Sequence, residues 1–322
     1  MIINMAKKNL TNARTVVTGR SFWGGVADEL KKNYMYYLMF LPVFIYFLIF
    51  AYGPMYGALM AFQDYAPSLG FLHSPWVGMK HFHRFFNDYY FKRILWNTFN
   101  ISISSLIFNF PAPIILAIMI NELRNKKFKS IMQTASYLPH FISLVVVCSM
   151  IKKFTLDTGV INDVIAFFGG TRKSFLNDPN CFVPVYVITD IWQEVGWNSI
   201  IYIAALAGID QELYEAAMID GAGRWKQTLH VTLPGILPTI IILLILRMGM
   251  LLNVGYEKII LLYSPVTRKT ADVISTYVYR VGLEDKGWSF SAAVGLFNSV
   301  INLVFLLLTN ALSKKCSDTA LW

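Results

Sequence analysis

Four polar residues, Asp190, Gln193, Glu194 and Asn198, stand in the middle of the apolar stretch FVPVYVITDIWQEVGWNSIIYIAALA. At helical spacing Asp190, Glu194 and Asn198 fall on one side, with Trp197 beside them and Trp192 in the same run. Arg247, Asn253, Glu257 and Lys258 interrupt a second apolar run. Asn298 and Asn302 lie one turn apart in a third, and Asn97, Asn100 and Asn109 add polarity to a fourth. A charge at mid-bilayer costs at least about 2.5–3.5 kcal/mol, so such groups face a cavity or a partner. Two chemistries suit them. Asp190 and Glu194 could carry protons in a carrier driven by an ion gradient. Planar amides, carboxylates and indoles could instead border a saccharide route. That reading takes in Asp190, Trp192, Gln193, Glu194, Trp197, Asn198, Asn253, Glu257, Asn298 and Asn302. A structural role competes at each position, because asparagines bond membrane helices together and Arg247 can pair with Asp190 or Glu194.

Other constellations are weaker. His81, His83 and Asp88 are near in sequence, but they form a poor ligand pattern, and His73, His140 and His230 are scattered. Cys148, Cys181 and Cys316 have no metal or disulfide spacing. We therefore expect no metal site and no catalytic residue. The chain contains no G-x4-G-K-[ST] sequence. Its nearest imitation, GGTRKS (169–174), has Arg172 in place of the second glycine. An ATP-driven process would need the nucleotide held elsewhere.

The elements that position these residues follow from the composition. Of 322 residues, 56% are hydrophobic and 15% charged, and the mean hydropathy is +0.49. The apolar residues lie in long blocks, and about 20 of them cross a core of about 30 Å. Six blocks qualify, near 36–61, 96–120, 131–151, 182–207, 234–262 and 290–312, which predicts an all-α polytopic membrane protein. The net charge of +9 reflects lysines and arginines flanking spans, not a nucleic-acid surface. The best orientation signal is NELRNKKFKS (121–130), a short loop with four positive charges that resists translocation. It places itself and the N-terminal segment 1–33 in the cytoplasm, and an even number of spans returns the tail 315–322 there. One permease domain, 34–314, lies between them, with mixed connections on the outer side at 62–95, 152–181 and 263–289.

One cytoplasmic connection, 210–233, has its own pattern. QELYEAAMID reads as a short helix with Tyr214, Ala217 and Met218 on one face and Ile219 beside it. Gly221 and Gly223 permit backbone angles denied to larger residues. RWKQTLHVTL resumes as an amphipathic piece, and Pro234 fits the entry to the fifth span. An ordinary amphipathic connector would share this composition, but not the spacing. Glu215-Ala216-Ala217, three residues, Gly221, nine residues, then Val231-Thr232-Leu233-Pro234 resembles the EAA loop of binding-protein-dependent ABC import permeases. Asp220 and Ala222 also match that motif, while Thr228 stands where many sugar permeases carry phenylalanine. PMYGALMAFQDY, SPWVGMKHF, DVISTYVYRVGL and FSAAVGLFNSVINL are similar to the polysaccharide and complex-oligosaccharide subgroup, so the likeness runs from about Lys32 to the end.

The resemblance implies the type I ABC importer permease fold: six transmembrane helices and a cytoplasmic coupling helix between the fourth and fifth. It implies ATPase coupling through Tyr214, Glu215, Ala216, Ala217, Met218, Asp220, Gly221, Gly223, Leu233 and Pro234. The implied partners are a second, different permease, two ATPase subunits that hold ATP and magnesium, and an extracellular or periplasmic solute-binding protein. The implied cargo is an oligosaccharide, with alginate or another uronate-containing chain as the narrower expectation. The implied location is the bacterial cytoplasmic membrane.

Overall fold

The structure, a computed structural model, describes Glu29, residues 31–317, Ala320 and Leu321. Most of the expected N-terminal segment 1–33 and part of the tail 315–322 lie outside the described residues. The chain divides into a unit ending at Ala58 and a unit from Leu59 onward. The first holds most of α1 (Tyr34–Phe62), a helix apolar all round, with Pro42 inside it and a π-turn at Leu48–Tyr52. No residue in its most apolar stretch is buried within the chain, as suits a helix facing lipid or another subunit.

The second unit is helical, and its one β pairing among the described residues is the isolated Gln63–Trp76 bridge. Its elements are α2 (Lys80–Phe86), α3 (Phe91–Asn121), α4 (Lys126–Phe141), α5 (Leu144–Phe154), α6 (Phe182–Ala207), α7 (Gln211–Ile219), α8 (Arg224–Met248), α9 (Tyr256–Leu262), α10 (Ile274–Tyr279) and α11 (Trp288–Ser317). By length and composition α1, α3, α8 and α11 can cross a membrane, and the bent pair α4–α5 makes a fifth candidate. The expected fourth span, α6, is a 26-residue helix, but Asp190, Gln193, Glu194 and Asn198 break up its apolar surface.

Two expected spans are not single helices. The span read as 131–151 is the α4–α5 pair, bent by 96°. Pro139 sits in a 3-10 turn at the end of α4, and the backbone is extended at Ile142 and Ser143. The span read as 234–262 ends at Met248, and the chain restarts as α9 only at Tyr256. Asn302 of α11 satisfies that break, its Oδ1 accepting from the Leu252 amide at 2.9 Å. Its Nδ2 donates to Asn253 Oδ1 at 2.9 Å, as does Asn298 Nδ2 at 2.7 Å. A break inside a membrane bundle needs such internal partners.

Three apolar clusters order the unit along its length. Phe85, Ile94, Ile274, Tyr277 and Phe290 pack around the start of α3. Ile101, Val147, Phe182 and Ile259 belong to the middle cluster. Ile114, Ala117, Leu206 and Ile236 pack around the last turns of α3. The first and last clusters are toward opposite ends of the 31-residue α3, Ile94 and Ile114 being roughly 30 Å of helix apart. The α7 connection belongs to the last cluster, through Tyr214 and Val231.

α4 crosses α6 closely, and a Cβ on Gly196 would collide with the Ser136 carbonyl. Helix propensity favours alanine over glycine by about 1 kcal/mol, but overpacking costs about 1–3 kcal/mol. Gly196→Ala should therefore lower the melting temperature of the purified chain by about 2–6 °C. Gly295→Ala should not, since nothing lies within 4 Å of its Cβ position. Equal melting temperatures for the two variants would contradict the crossing.

Candidate functional site

Polar side chains from five elements converge between the middle and last clusters. Asp190 of α6 is the hub. Its Oδ1 accepts from Lys258 Nζ of α9 at 2.9 Å, and its Oδ2 accepts from Asn109 Nδ2 of α3 at 2.6 Å. The Lys258 side chain is only 6% exposed, against 27% for Asp190, and its ammonium lies 5.0 Å from the centre of the Tyr186 ring. One turn along, Glu194 Oε2 meets His140 Nδ1 at 2.9 Å. The His140 ring stacks on Trp197 with centroids 4.4 Å apart and planes 4° from parallel.

Two cavities flank this hub. One, of about 340 Å³, lies on the side of Asn109, Asn198 and Tyr202; the other, of about 380 Å³, lies on the side of Gln193, Asn253, Glu257 and Lys258. Asp190, Glu194 and Arg247 line both. The two are lobes of one polar zone. Ser102 Oγ and Asn109 Oδ1, which line it, are buried polar atoms without a hydrogen-bond partner.

Of the residues expected beside a saccharide route, Asp190, Gln193, Glu194, Asn198, Asn253 and Glu257 line this zone. Trp197 holds His140 from behind, and Trp192 is 45% exposed and lines neither lobe. Asn302 braces the backbone break, while Asn298 borders a separate, mostly apolar cavity beside α10. Pairing of Arg247 with Asp190 or Glu194 is one alternative the sequence leaves open, with Lys258 as a second cation able to neutralise them. Lys258 and His140 take those places, and among the described residues Arg247 enters no ion pair. The break after Met248 explains the exchange, because it frees α9 to return Lys258 to α6. His140 was missed in the sequence, although its neighbour Pro139 marked the bend that delivers it. The histidines near the start of α2 do not converge: His81 meets Asp64 at 3.0 Å, His83 is exposed, and Asp88 accepts from Tyr277.

The second candidate region is the knuckle around α7. Asp210 caps α7 by accepting from the Glu212 amide, and Gly221 closes it at φ +72°, with the Ala222 amide donating to Ala217. Gly223 was expected to need a similar freedom, but its φ is an ordinary −67°. Tyr214 and Ala217 turn inward, and the Tyr214 hydroxyl meets Thr232 Oγ1 at 3.0 Å. Met218 shares their helical side yet is exposed, as are Glu215, Ala216, Ile219, Asp220 and Trp225. The piece 224–233 is not separate from the fifth span: α8 runs unbroken from Arg224 through Leu233 and Pro234. A π-turn at Thr228–Thr232 admits the proline, which has no N–H to give to the ladder.

Residues 109–318 match the family model of the binding-protein-dependent transport system inner membrane component. The chain belongs to that family. It is 46% identical over 294 residues to the LplB protein of Bacillus subtilis (strain 168), covering 91% of this chain and 92% of that one. It is 45% identical to the polygalacturonan/rhamnogalacturonan transport system permease protein YteP of the same organism, with 91% of each chain covered. A chain in the crystal structure of a bacterial ABC transporter involved in the import of the acidic polysaccharide alginate shares the fold. The TM-score is 0.84 at 44% identity, over 91% of this chain and 99% of that one. The protein is an ABC-type transport permease of the inner membrane, and this sets aside the reading of Asp190 and Glu194 as proton carriers.

The Asp190–Lys258 pair yields a double-mutant test. Removing one member of a buried pair costs about 3–5 kcal/mol, because the survivor stays charged and unpaired. Lys258→Met and Asp190→Asn should each destabilise the permease. The double variant should be more stable than the sum of the two losses by at least about 1 kcal/mol, read from denaturant or thermal unfolding. Additive losses would dissolve the pair.

Proposed function

We propose that this permease forms one half of the pore of an ATP-driven importer for uronate-bearing oligosaccharides. The observation that carries the coupling is the knuckle's place on α8. Its exposed Met218, Ile219 and Trp225 form an apolar surface suited to a partner's cleft. It is hydrogen-bonded to the start of the unbroken helix that brings Arg247 into the polar zone. From Arg224 to Arg247 is roughly 35 Å of continuous helix. A push at the knuckle thus reaches the cavity as a rigid displacement.

In this reading two ATPase subunits hold ATP and magnesium and grip the knuckles. A second, different permease completes the pore, and an extracytoplasmic solute-binding protein presents the sugar. The basic connection 121–130 and both termini are cytoplasmic, on the knuckle's side of the membrane. The acidic cargo is supported by two proteins similar to this one: YteP, named for polygalacturonan and rhamnogalacturonan, and the alginate importer. The cavity lined by Asp190, Gln193, Glu194, Asn198, Asn253 and Glu257 would be part of the route, with Arg247 as its free cation.

Reconstituted with its partners in proteoliposomes, the wild type should take up trigalacturonate only with internal ATP. Gly221→Val forces a β-branched residue to φ +72° and should cut uptake at least tenfold while basal ATP hydrolysis persists. Gly223→Ala meets nothing within 4 Å in this chain, so the melting temperature of the isolated permease should not change. A loss of uptake in that variant would therefore report a docked partner. Uptake driven by an ion gradient with the ATPases removed would overturn the proposal.

A further inference from the structure

At the end of the bundle opposite the knuckle, where α2, α3, α10 and the 263–289 connection meet, lies a cavity of about 690 Å³. Arg84, Arg93, Arg268, Lys269 and Arg280 all line it, against two carboxylates, Asp88 and Asp285. Most of the available negative charge is already committed. Arg280 is held by Asp272, with Nη2 to Oδ2 at 2.8 Å and Nη1 to Oδ1 at 3.2 Å. Asp88 accepts from the Tyr90 amide at 2.7 Å and from the Tyr277 hydroxyl at 2.8 Å. Burial, and then that bond to Asp88, hold the Tyr277 hydroxyl above its ordinary pKa, so it remains a donor. Asp285 is exposed at the rim.

Arg84, Arg93, Arg268 and Lys269 consequently have no ion-pair partner among the described residues. Two of them are held in place by aromatic rings. The Arg84 guanidinium lies 4.7 Å from the centre of Phe290, and that of Arg93 lies 4.6 Å from the centre of Tyr90. Cation–π attraction holds each guanidinium over its ring, and neither is engaged by a carboxylate among the described residues, so each can still donate to a bidentate acceptor. Arg93 Nε is in fact a buried donor with no hydrogen-bond partner. Like charges gathered in one concavity raise one another's energy, and a bound anion relieves this. The volume is that of a ligand cavity and not of a flat protein face.

We infer that this cavity is a carboxylate-binding subsite at the outer mouth of the pore, which receives the uronate units of an acidic oligosaccharide before they enter the bundle. The inference rests on the acidic-saccharide reading above. A run of carboxylates spaced along a sugar chain matches several fixed cations better than a single small anion does.

The test uses the full transporter in phosphatidylcholine nanodiscs without the binding protein. Trigalacturonate should bind, its affinity falling as salt rises from about 50 to 500 mM, and maltotriose should neither bind there nor compete. Arg268→Gln combined with Lys269→Gln removes two charges that enter no side-chain hydrogen bond or ion pair among the described residues, and should weaken trigalacturonate binding at least tenfold. Arg93→Gln should do the same independently. Unchanged affinity in both variants would overturn the subsite. So would variants that lose only association with the binding protein, or a cavity that responds only to added phosphatidylglycerol, which would assign it to a protein contact or a lipid headgroup. Uptake assays separate this inference from the broader one. If the variants import trigalacturonate normally, the subsite falls and the importer stands. If the wild type imports maltotriose and not trigalacturonate, the acidic cargo falls.

Discussion

A backbone break inside a membrane bundle must find its hydrogen bonds within the protein, and the arrangement of this permease follows from how one such break is satisfied. Between Met248 and Tyr256 the chain leaves the helix, and Asn302 reaches across from α11 to accept the Leu252 amide. Asn253 gathers Asn298 and Asn302 on its own Oδ1, and Ser275 donates to the Val254 carbonyl at 2.6 Å. With those partners in place, α9 can turn back and set Lys258 on Asp190. An uninterrupted helix through residue 262 would have carried Lys258 about three turns past Arg247. The asparagines of α11 act on the polar zone indirectly, by holding open the geometry that makes it.

The same helix connects the two candidate regions. Its N-terminal turns carry the knuckle, tied on by Tyr214–Thr232 and by Gln227 Nε2 donating to the Ala222 carbonyl at 2.8 Å. Its C-terminal turn carries Arg247, just before the break. The stiff part and the interrupted part are therefore placed in series. In the proposed coupling, displacement runs along residues 224–248, and the chain yields beyond them, where single side-chain hydrogen bonds replace a helical ladder. The Asp190–Lys258 pair sits across that yielding segment. Arg247 is the nearby cation that enters no ion pair among the described residues.

How far the sequence carried this picture depended on the kind of signal. Long apolar blocks and the Glu215 to Pro234 spacing are local patterns, and they located the helices and the knuckle. Gly221 was readable because a left-handed turn after a helix has few alternatives to glycine. Gly223 was over-read on the same reasoning, since composition does not say which of two glycines takes the positive φ. The breaks at 142–143 and 249–255 were missed because apolar runs look continuous whether or not the backbone is. Pro139, Gly249 and Gly255 mark those places only once the partners that stabilise a break are known, and those partners are distant in sequence. The ion pairs failed for the same reason. Arg247 and Lys258 are equally good cations for Asp190 on paper, and only the return of α9 selects between them. The basic outer cavity was invisible because its cations come from connections almost 200 residues apart.

Two carboxylates one turn apart on α6 would by themselves repel an anionic sugar. Their partners change that. Asp190 is neutralised by Lys258 and hydrogen-bonded to Asn109, while Glu194 is shared with His140. Glu257, exposed on α9 and in no ion pair among the described residues, shares its lobe with Arg247. The zone therefore offers an anionic chain an Asp190 already paired with Lys258, a Glu194 hydrogen-bonded to His140, and the Arg247 guanidinium, which enters no ion pair among the described residues. At the far end of the bundle the balance is frankly positive. A gradient from cations without ion pairs among the described residues to a zone of mixed charge suits a pore that must attract a polyanion without holding it. Attraction is greatest where the ligand is still solvated and salt screens it. It weakens where low dielectric would turn the same charges into a trap.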